Sequence, residues 1–267
     1  MKVIFTYKIL DSFWKPKDQC FWDVAKLAVD QANKFYSTVL YADKFTYRKF
    51  KSKGLLFDEF VDSTELLEQV TEHTYGMAKM LVMMEQDSPY IMLDLDTVLF
   101  SNISTNKHIA YGYKEVNTAN KKEIKNKILE VEYLEEYYKR SFDIFKSKYD
   151  FKLKNIDWDS YPSNSLIIVN SPKLIAEAVK KILGTLKEEV NIVPPIYTVQ
   201  FYEQFLLYNL LREYKIKVDF LYQSNPGFDL TVDNSLMEIF TFKFLHLDRY
   251  LDNRVISLVS LLKKVCN

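Results

Sequence analysis

Asp94 and Asp96 are the two residues whose type and spacing most plainly could do chemistry. They close the run Tyr90-Ile91-Met92-Leu93-Asp94-Leu95-Asp96-Thr97-Val98-Leu99-Phe100. Its apolar first half, entered through Pro89, is predicted to be a fully buried strand. Residues two apart on a strand point the same way, so both carboxylates share one face at the strand's mouth. Carboxylates that close repel each other unless a proton or a cation lies between them. Oxygen-only ligation favours Mg²⁺ or Mn²⁺, which keep positions open for water or phosphate oxygens. The competing reading is a pair of solvated acids at a strand end.

The elements that must position this pair alternate between strand and helix. Residues 2–8 and 38–42 are predicted strands, rich in β-branched and aromatic side chains. Between them, Phe21, Val24, Leu27, Ala28 and Ala32 fall on one stripe of a helix over 20–35. Residues 43–53 hold four Lys and one Arg and read as a surface helix or loop. One helical region runs from Ser63 to about Glu85, where Gln86-Asp87-Ser88-Pro89 stops it. Further strands are expected at 107–113, 166–169 and 217–222, with helices from Pro172, over 198–213 and over 250–265. A charged stretch at about 116–155 reads as a helical insertion. The pattern predicts one α/β domain, a mostly parallel mixed sheet flanked by helices, with ligands beyond the carboxyl ends of the strands.

Composition narrows the function classes. In 267 residues, 36 Lys and Arg balance 36 Asp and Glu, which excludes a nucleic-acid binder relying on overall positive charge. With 5 glycines and neither GxGxxG nor GxxxxGK[ST], a phosphate-cradling glycine loop is not expected. Cys20 and Cys266 are too few for a disulfide framework or a cysteine zinc site, and two free thiols are expected. Lys8 and Asp11 interrupt the apolar start, so no signal peptide is read there, and no run of about 18 apolar residues suggests a membrane span. These features predict a cytoplasmic protein whose membrane contact, if any, is peripheral.

The ordered series Ala78-Lys79, Pro89-Tyr90, Asp94-Leu95-Asp96 and Ser101-Asn102-Ile103 resembles the metal-dependent glycosyltransferases of the GT-A fold. It is most similar to glycosyltransferase families 8 and 32 and to bacterial proteins with the same DxD core. Pro162-Ser163-Asn164-Ser165 resembles the family's Phe-Asn-Ala/Ser-Gly segment, whose Asn faces the donor sugar. Tyr202-Glu203-Gln204 resembles its acid–Gln pair, and Phe244-Leu245-His246-Leu247 its late metal-binding histidine. The resemblance covers roughly residues 2–250. It implies a Rossmann-like, GT-A-like domain moving a sugar from a nucleotide diphosphate sugar, a UDP-sugar first, to an acceptor the motifs do not name. It also implies Mn²⁺ or Mg²⁺ on Asp94, Asp96 and His246, with Asn164 and Glu203 as catalytic candidates at the sugar.

Other residues acquire candidate roles from the same resemblance. Tyr7 and Trp14 follow the first strand, where a base would lie, and either stack on it or simply pack. Asp43, closing the second strand, is a candidate nucleotide contact. Lys79 either contacts a phosphate or pairs with an acid. Asp94 meets the ribose as well as, or instead of, the ion. Glu203 either orients sugar or acceptor or caps a polar helix face, and His246 is either ligand or structural. There are two departures. Leu166 stands where the family has Gly, which should narrow the approach to the sugar. The family's Gly and Lys after the histidine are missing, and Arg249 or Arg254 is the candidate replacement on the diphosphate.

Two other classes fit parts of the pattern. Asp94-Leu95-Asp96-Thr97-Val98-Leu99 formally matches the first motif of haloacid-dehalogenase-like phosphatases, where the first Asp is a nucleophile. That motif normally lies near the N-terminus, however, and no late acidic pair follows. A binding module of the same shape that has lost turnover is the other alternative.

Overall fold

The computed structural model describes residues 1–10, 19–71, 74–116, 142–143, 146–147, 160–189, 199–222 and 244–246. The first unit is β1 (Lys2–Tyr7), α1 (Gln19–Phe35) and β2 (Ser37–Ala42), followed by α2 (Lys44–Ser52) and β3 (Glu59–Asp62). Next come α3 (Thr64–Leu67), α4 (Met77–Met84), β4 (Tyr90–Leu93) and β5 (Thr97–Leu99). The chain continues with β6 (Ile109–Val116), β7 (Ser160–Pro162), β8 (Leu166–Val169) and α5 (Pro172–Glu189). A π-helix (Val199–Leu206) runs into α6 (Leu207–Glu213), and β9 (Val218–Tyr222) and β10 (Phe244–His246) complete the described elements.

The main sheet has the order β3-β2-β1-β4-β8-β6, with β9 on β6 and β7 also paired to β6. β1, β2, β3 and β4 are mutually parallel, and β9 is parallel to β6. β8 runs antiparallel to both β4 and β6. The α/β class and the mostly parallel mixed sheet flanked by helices are therefore as expected. Periodicity does not fix strand direction, and the antiparallel strands are the part it could not supply.

Each strand divides its side chains between two apolar layers, as a period of two requires. Ile4, Met92, Ile167 and Val169 join the layer containing α4, α5 and α6. Val3, Phe5, Ile91, Leu93, Leu166 and Ile168 join the layer containing α1. β4 and β8 are buried along their whole length, which explains why they read as continuous apolar runs.

Two expectations change, and a third is settled between its two alternatives. The helix predicted from Ser63 to Glu85 is two, α3 and α4. Between them the Thr74 hydroxyl accepts from Thr71 N at 2.8 Å, a side-chain bond that competes with helical bonding. The chain at 43–53 is a helix, begun by Asp43: Thr46 N donates to Asp43 Oδ1 at 2.7 Å. Leu166 lies in the apolar layer on the α1 side, fully buried, and is not among the residues lining the cleft described below. It does not narrow that cleft. The insertion expected at about 116–155 and the helix at 250–265 fall outside the described residues, apart from Val116 and the helical residues 142–143 and 146–147.

Candidate functional site

The order of the sheet reverses between β1 and β4: β2 and β3 extend on one side of β1, and β4 opens the other. In open α/β sheets this switch point leaves a crevice at the carboxyl ends of the two strands. A small cleft of about 90 Å³ lies there. Its walls are Thr6 and Tyr7 from the end of β1, Asp94 to Asp96 just after β4, Tyr75, Gly76, Ala78 and Lys79 around the start of α4, and Phe21 and Glu203.

Lys79 is the centre of the cleft's polar wall. It is the lone charged residue in α4, whose sequence Met-Ala-Lys-Met-Leu-Val-Met-Met is otherwise apolar and nearly all buried. An ammonium there needs partners. Its Nζ lies 2.6 Å from Asp94 Oδ1 and 3.0 Å from Glu203 Oε1, and donates to Asn164 O at 3.0 Å. Its side chain is 15% exposed, against 29% for Asp94 and 2% for Glu203. Burial alone would push the lysine pKa down, but the two carboxylates outweigh it and hold it above the usual lysine range. Burial pushes the Glu203 carboxyl above its ordinary range, with Lys79 opposing.

Two departures from regular structure bring these groups together. Lys114 faces Pro162 and Tyr111 faces Ile167, so five residues of the β7–β8 segment span three of β6. The surplus is a bulge at Ser163-Asn164-Ser165, a device that re-aims a side chain. It places the Asn164 backbone oxygen on Lys79 and turns its Nδ2 to donate to the Glu203 backbone oxygen. Ser165 O also accepts from Asp94 N at 2.9 Å, tying the bulge to the strand mouth. Glu203 itself sits on a π-helix, a rare wide-turn form that is frequent at functional sites.

The sequence-predicted residues thus divide. Lys79, Asp94, Asn164 and Glu203 are joined in one network, and Asp94 and Asp96 line the same cleft. Lys79 pairs with acids, the second of its two expected modes. Tyr7 lines the cleft while its ring packs at 5.6–5.8 Å against Phe21, Phe50 and Tyr75. Asp43 caps α2 with Oδ1, and its Oδ2 accepts from the Thr46 hydroxyl at 3.1 Å; it is not part of the cleft wall. The backbone of His246 pairs with Thr97, the residue after Asp96. Trp14, Arg249 and Arg254 lie outside the described residues. Sequence reasoning missed Thr6, Phe21, Tyr75 and Gly76. Thr6 had a signal, since it precedes Tyr7 at the carboxyl end of a predicted strand. Its Oγ1 is buried and makes no hydrogen bond among the described residues.

Among the described residues, the cleft wall carries three acids, Asp94, Asp96 and Glu203, and one cation, Lys79. The donor chemistry of Asp94 and Asp96 suits a hard, oxygen-preferring divalent ion. Among the described residues, no three His, Cys, Asp or Glu side chains converge as a metal site.

The sequence matches no family model and no curated protein. Among solved structures, mouse xyloside xylosyltransferase 1 superposes over 92% of this chain and 96% of its own, at 10% identity and a TM-score of 0.46. The PaToxG glycosyltransferase covers 79% of this chain and 69% of its own, at 12% identity and a TM-score of 0.44. The inositol-1-phosphate CTP transferase from T. maritima covers 98% and 96%, at 13% identity and a TM-score of 0.43. Every one of these scores lies below 0.5, and none carries weight for function.

Proposed function

We propose that this protein is a GT-A-type glycosyltransferase that takes a sugar from a nucleotide diphosphate sugar, with a divalent ion at the DxD pair. The observation that carries the reading is the Lys79–Asp94–Glu203–Asn164 network at the sheet's switch point, beside Asp96. A diphosphate placed beside carboxylates is repelled unless a cation accompanies it. Asp96, Asp94 and His246 are the residues that would hold Mn²⁺ or Mg²⁺. When bound there, the ion supplies Lewis-acid charge neutralisation for the departing nucleoside diphosphate.

The chain's own groups do the positioning. Lys79 fixes the Asp94 carboxylate through Oδ1, which sets the orientation in which it would meet an ion or a ribose hydroxyl. Glu203 holds Lys79 from the buried side, and Asn164 holds the backbone of Glu203. Asn164 and Glu203 therefore first serve as positioning residues, and Glu203, which reaches the cleft wall, is the better placed to meet the sugar. Tyr7 offers an aromatic ring at the end of β1 for a base, a UDP-sugar being the first donor to try.

The test is release of nucleoside diphosphate from a panel of nucleotide sugars with Mn²⁺. Turnover lost in Asp96→Ala, whose fold is verified by circular dichroism, is the expected result. Metal-dependent phosphate release from an aryl phosphate, without nucleotide-sugar turnover, would replace this reading with the phosphatase. Donor binding without turnover would leave the lapsed binding module.

A further inference from the structure

We infer that the outer face of α2 is a docking surface for an anionic lipid bilayer. Over 44–53 the chain places Lys44, Arg48, Lys49, Lys51 and Lys53, although the whole protein carries no net charge. The inner face is pinned by Thr46 and Phe50, both fully buried, and by Ile9 N donating to Thr46 Oγ1 at 2.9 Å. That anchoring leaves the cations on the outside. Lys44 is shared with Asp62 at 3.0 Å, and Lys53 lies 5.4 Å over the Trp22 ring. Among the described residues, Arg48, Lys49 and Lys51 pair with no acid.

An apolar group stands among these charges. Phe45 is 63% exposed, and Arg48 and Lys49 follow it at the three- and four-residue spacings that make helix neighbours. Leu56, just beyond the helix, is also 63% exposed. These are two of four large hydrophobic residues exposed among the described ones. A soluble polyanion would use the cations alone. A bilayer uses both kinds of group, headgroups taking the charges and the acyl boundary taking the ring. Among the described residues no helix is long and apolar enough to cross a membrane, so such contact lies along the surface. α2 starts directly after the carboxyl end of β2, the sheet edge on which the cleft also lies.

The experiment is co-sedimentation of the full chain with phosphatidylcholine vesicles, with and without about 30% phosphatidylglycerol, at about 0.1 M salt. Binding only to the anionic vesicles, weakened by added salt, is expected. Each surface cation contributes roughly five-fold, so Arg48→Gln/Lys49→Gln/Lys51→Gln should lose roughly 100-fold. Phe45→Ser should lose roughly ten-fold. The control Lys173→Gln/Lys180→Gln/Lys217→Gln, with the same charge change on α5 and before β9, should bind as wild type. All these positions are exposed, and an unchanged melting temperature verifies the fold. Absence of binding to anionic vesicles, or equal binding by the triple α2 variant, overturns the proposal. So does binding to heparin or single-stranded DNA as tight as to vesicles with no effect of Phe45→Ser, which would make the partner a soluble polyanion.

Discussion

Two lysines in this protein face acids at nearly the same distance, and their surroundings make them different objects. Lys44 Nζ stands 3.0 Å from Asp62 on the surface, with side chains 66% and 38% exposed. Lys79 Nζ stands 3.0 Å from Glu203 and 2.6 Å from Asp94, inside an apolar helix packed against the sheet. Water already solvates the first pair, so its formation changes little. The second has exchanged water for two carboxylates and one backbone carbonyl, and each partner now depends on the others. Distance alone does not distinguish structure from decoration; desolvation does. The sheltered cluster is also where the chain has bent its own rules, with a bulge at Asn164 and a π-helix at Glu203.

The largest effect should come from Lys79→Met. It removes the ammonium that Asp94 and Glu203 share, and breaking a buried pair in this way costs about 3–5 kcal/mol. Urea unfolding measures it, and adding Glu203→Gln should recover part of the loss because one uncompensated acid is gone. A loss below about 1 kcal/mol would place the cluster in the same class as Lys44–Asp62. Asn164→Ala comes next. It removes the amide that donates to the Glu203 carbonyl, for about 0.5–1.5 kcal/mol.

Glu203→Gln sharpens the comparison through pH. Burial holds the Glu203 pKa above its ordinary value, with Lys79 opposing. Between the ordinary and the raised values the folded protein keeps a proton that the unfolded chain has released. Stability therefore falls as pH rises through that window. Melting temperature against pH should show this slope in the wild type and a flatter line in Glu203→Gln. At the small end, Lys44→Ala should leave the melting temperature within error at moderate salt, since both partners are solvated.

Much of this arrangement can be read from the residue order. β4 and β8 are legible because strands buried on both faces show as unbroken apolar runs, Tyr90 to Leu93 and Leu166 to Val169. Lys79 is legible as a lone charge in an apolar helix, and Asp94 and Asp96 as a pair on one strand face. β3 and β10 are not, because Glu-Phe-Val-Asp and Phe-Leu-His become strands only by pairing with β2 and β5. The antiparallel course of β8 is invisible for the same reason. The order of Asn164 and Glu203 along the chain suggests a site, but their contact is not written in either segment. It arises from a two-residue bulge and a widened helix turn, both of which depend on partners far away in sequence. The stretch between α3 and α4 carries a bond from Thr71 N to the Thr74 hydroxyl, which no helical period reports.

The most direct measurement is a thermal shift of the full chain with UDP and other nucleoside diphosphates, with and without Mn²⁺, in the wild type and in Asp96→Ala. A ligand at about 100 times its dissociation constant adds about 2.7 kcal/mol, well within reach of the method. The account predicts stabilisation by a nucleoside diphosphate that requires Mn²⁺ and disappears in Asp96→Ala, while Lys44→Ala keeps it in full. An equal shift without the ion, or an undiminished one in Asp96→Ala, would contradict a nucleotide-diphosphate site built on this pair of aspartates.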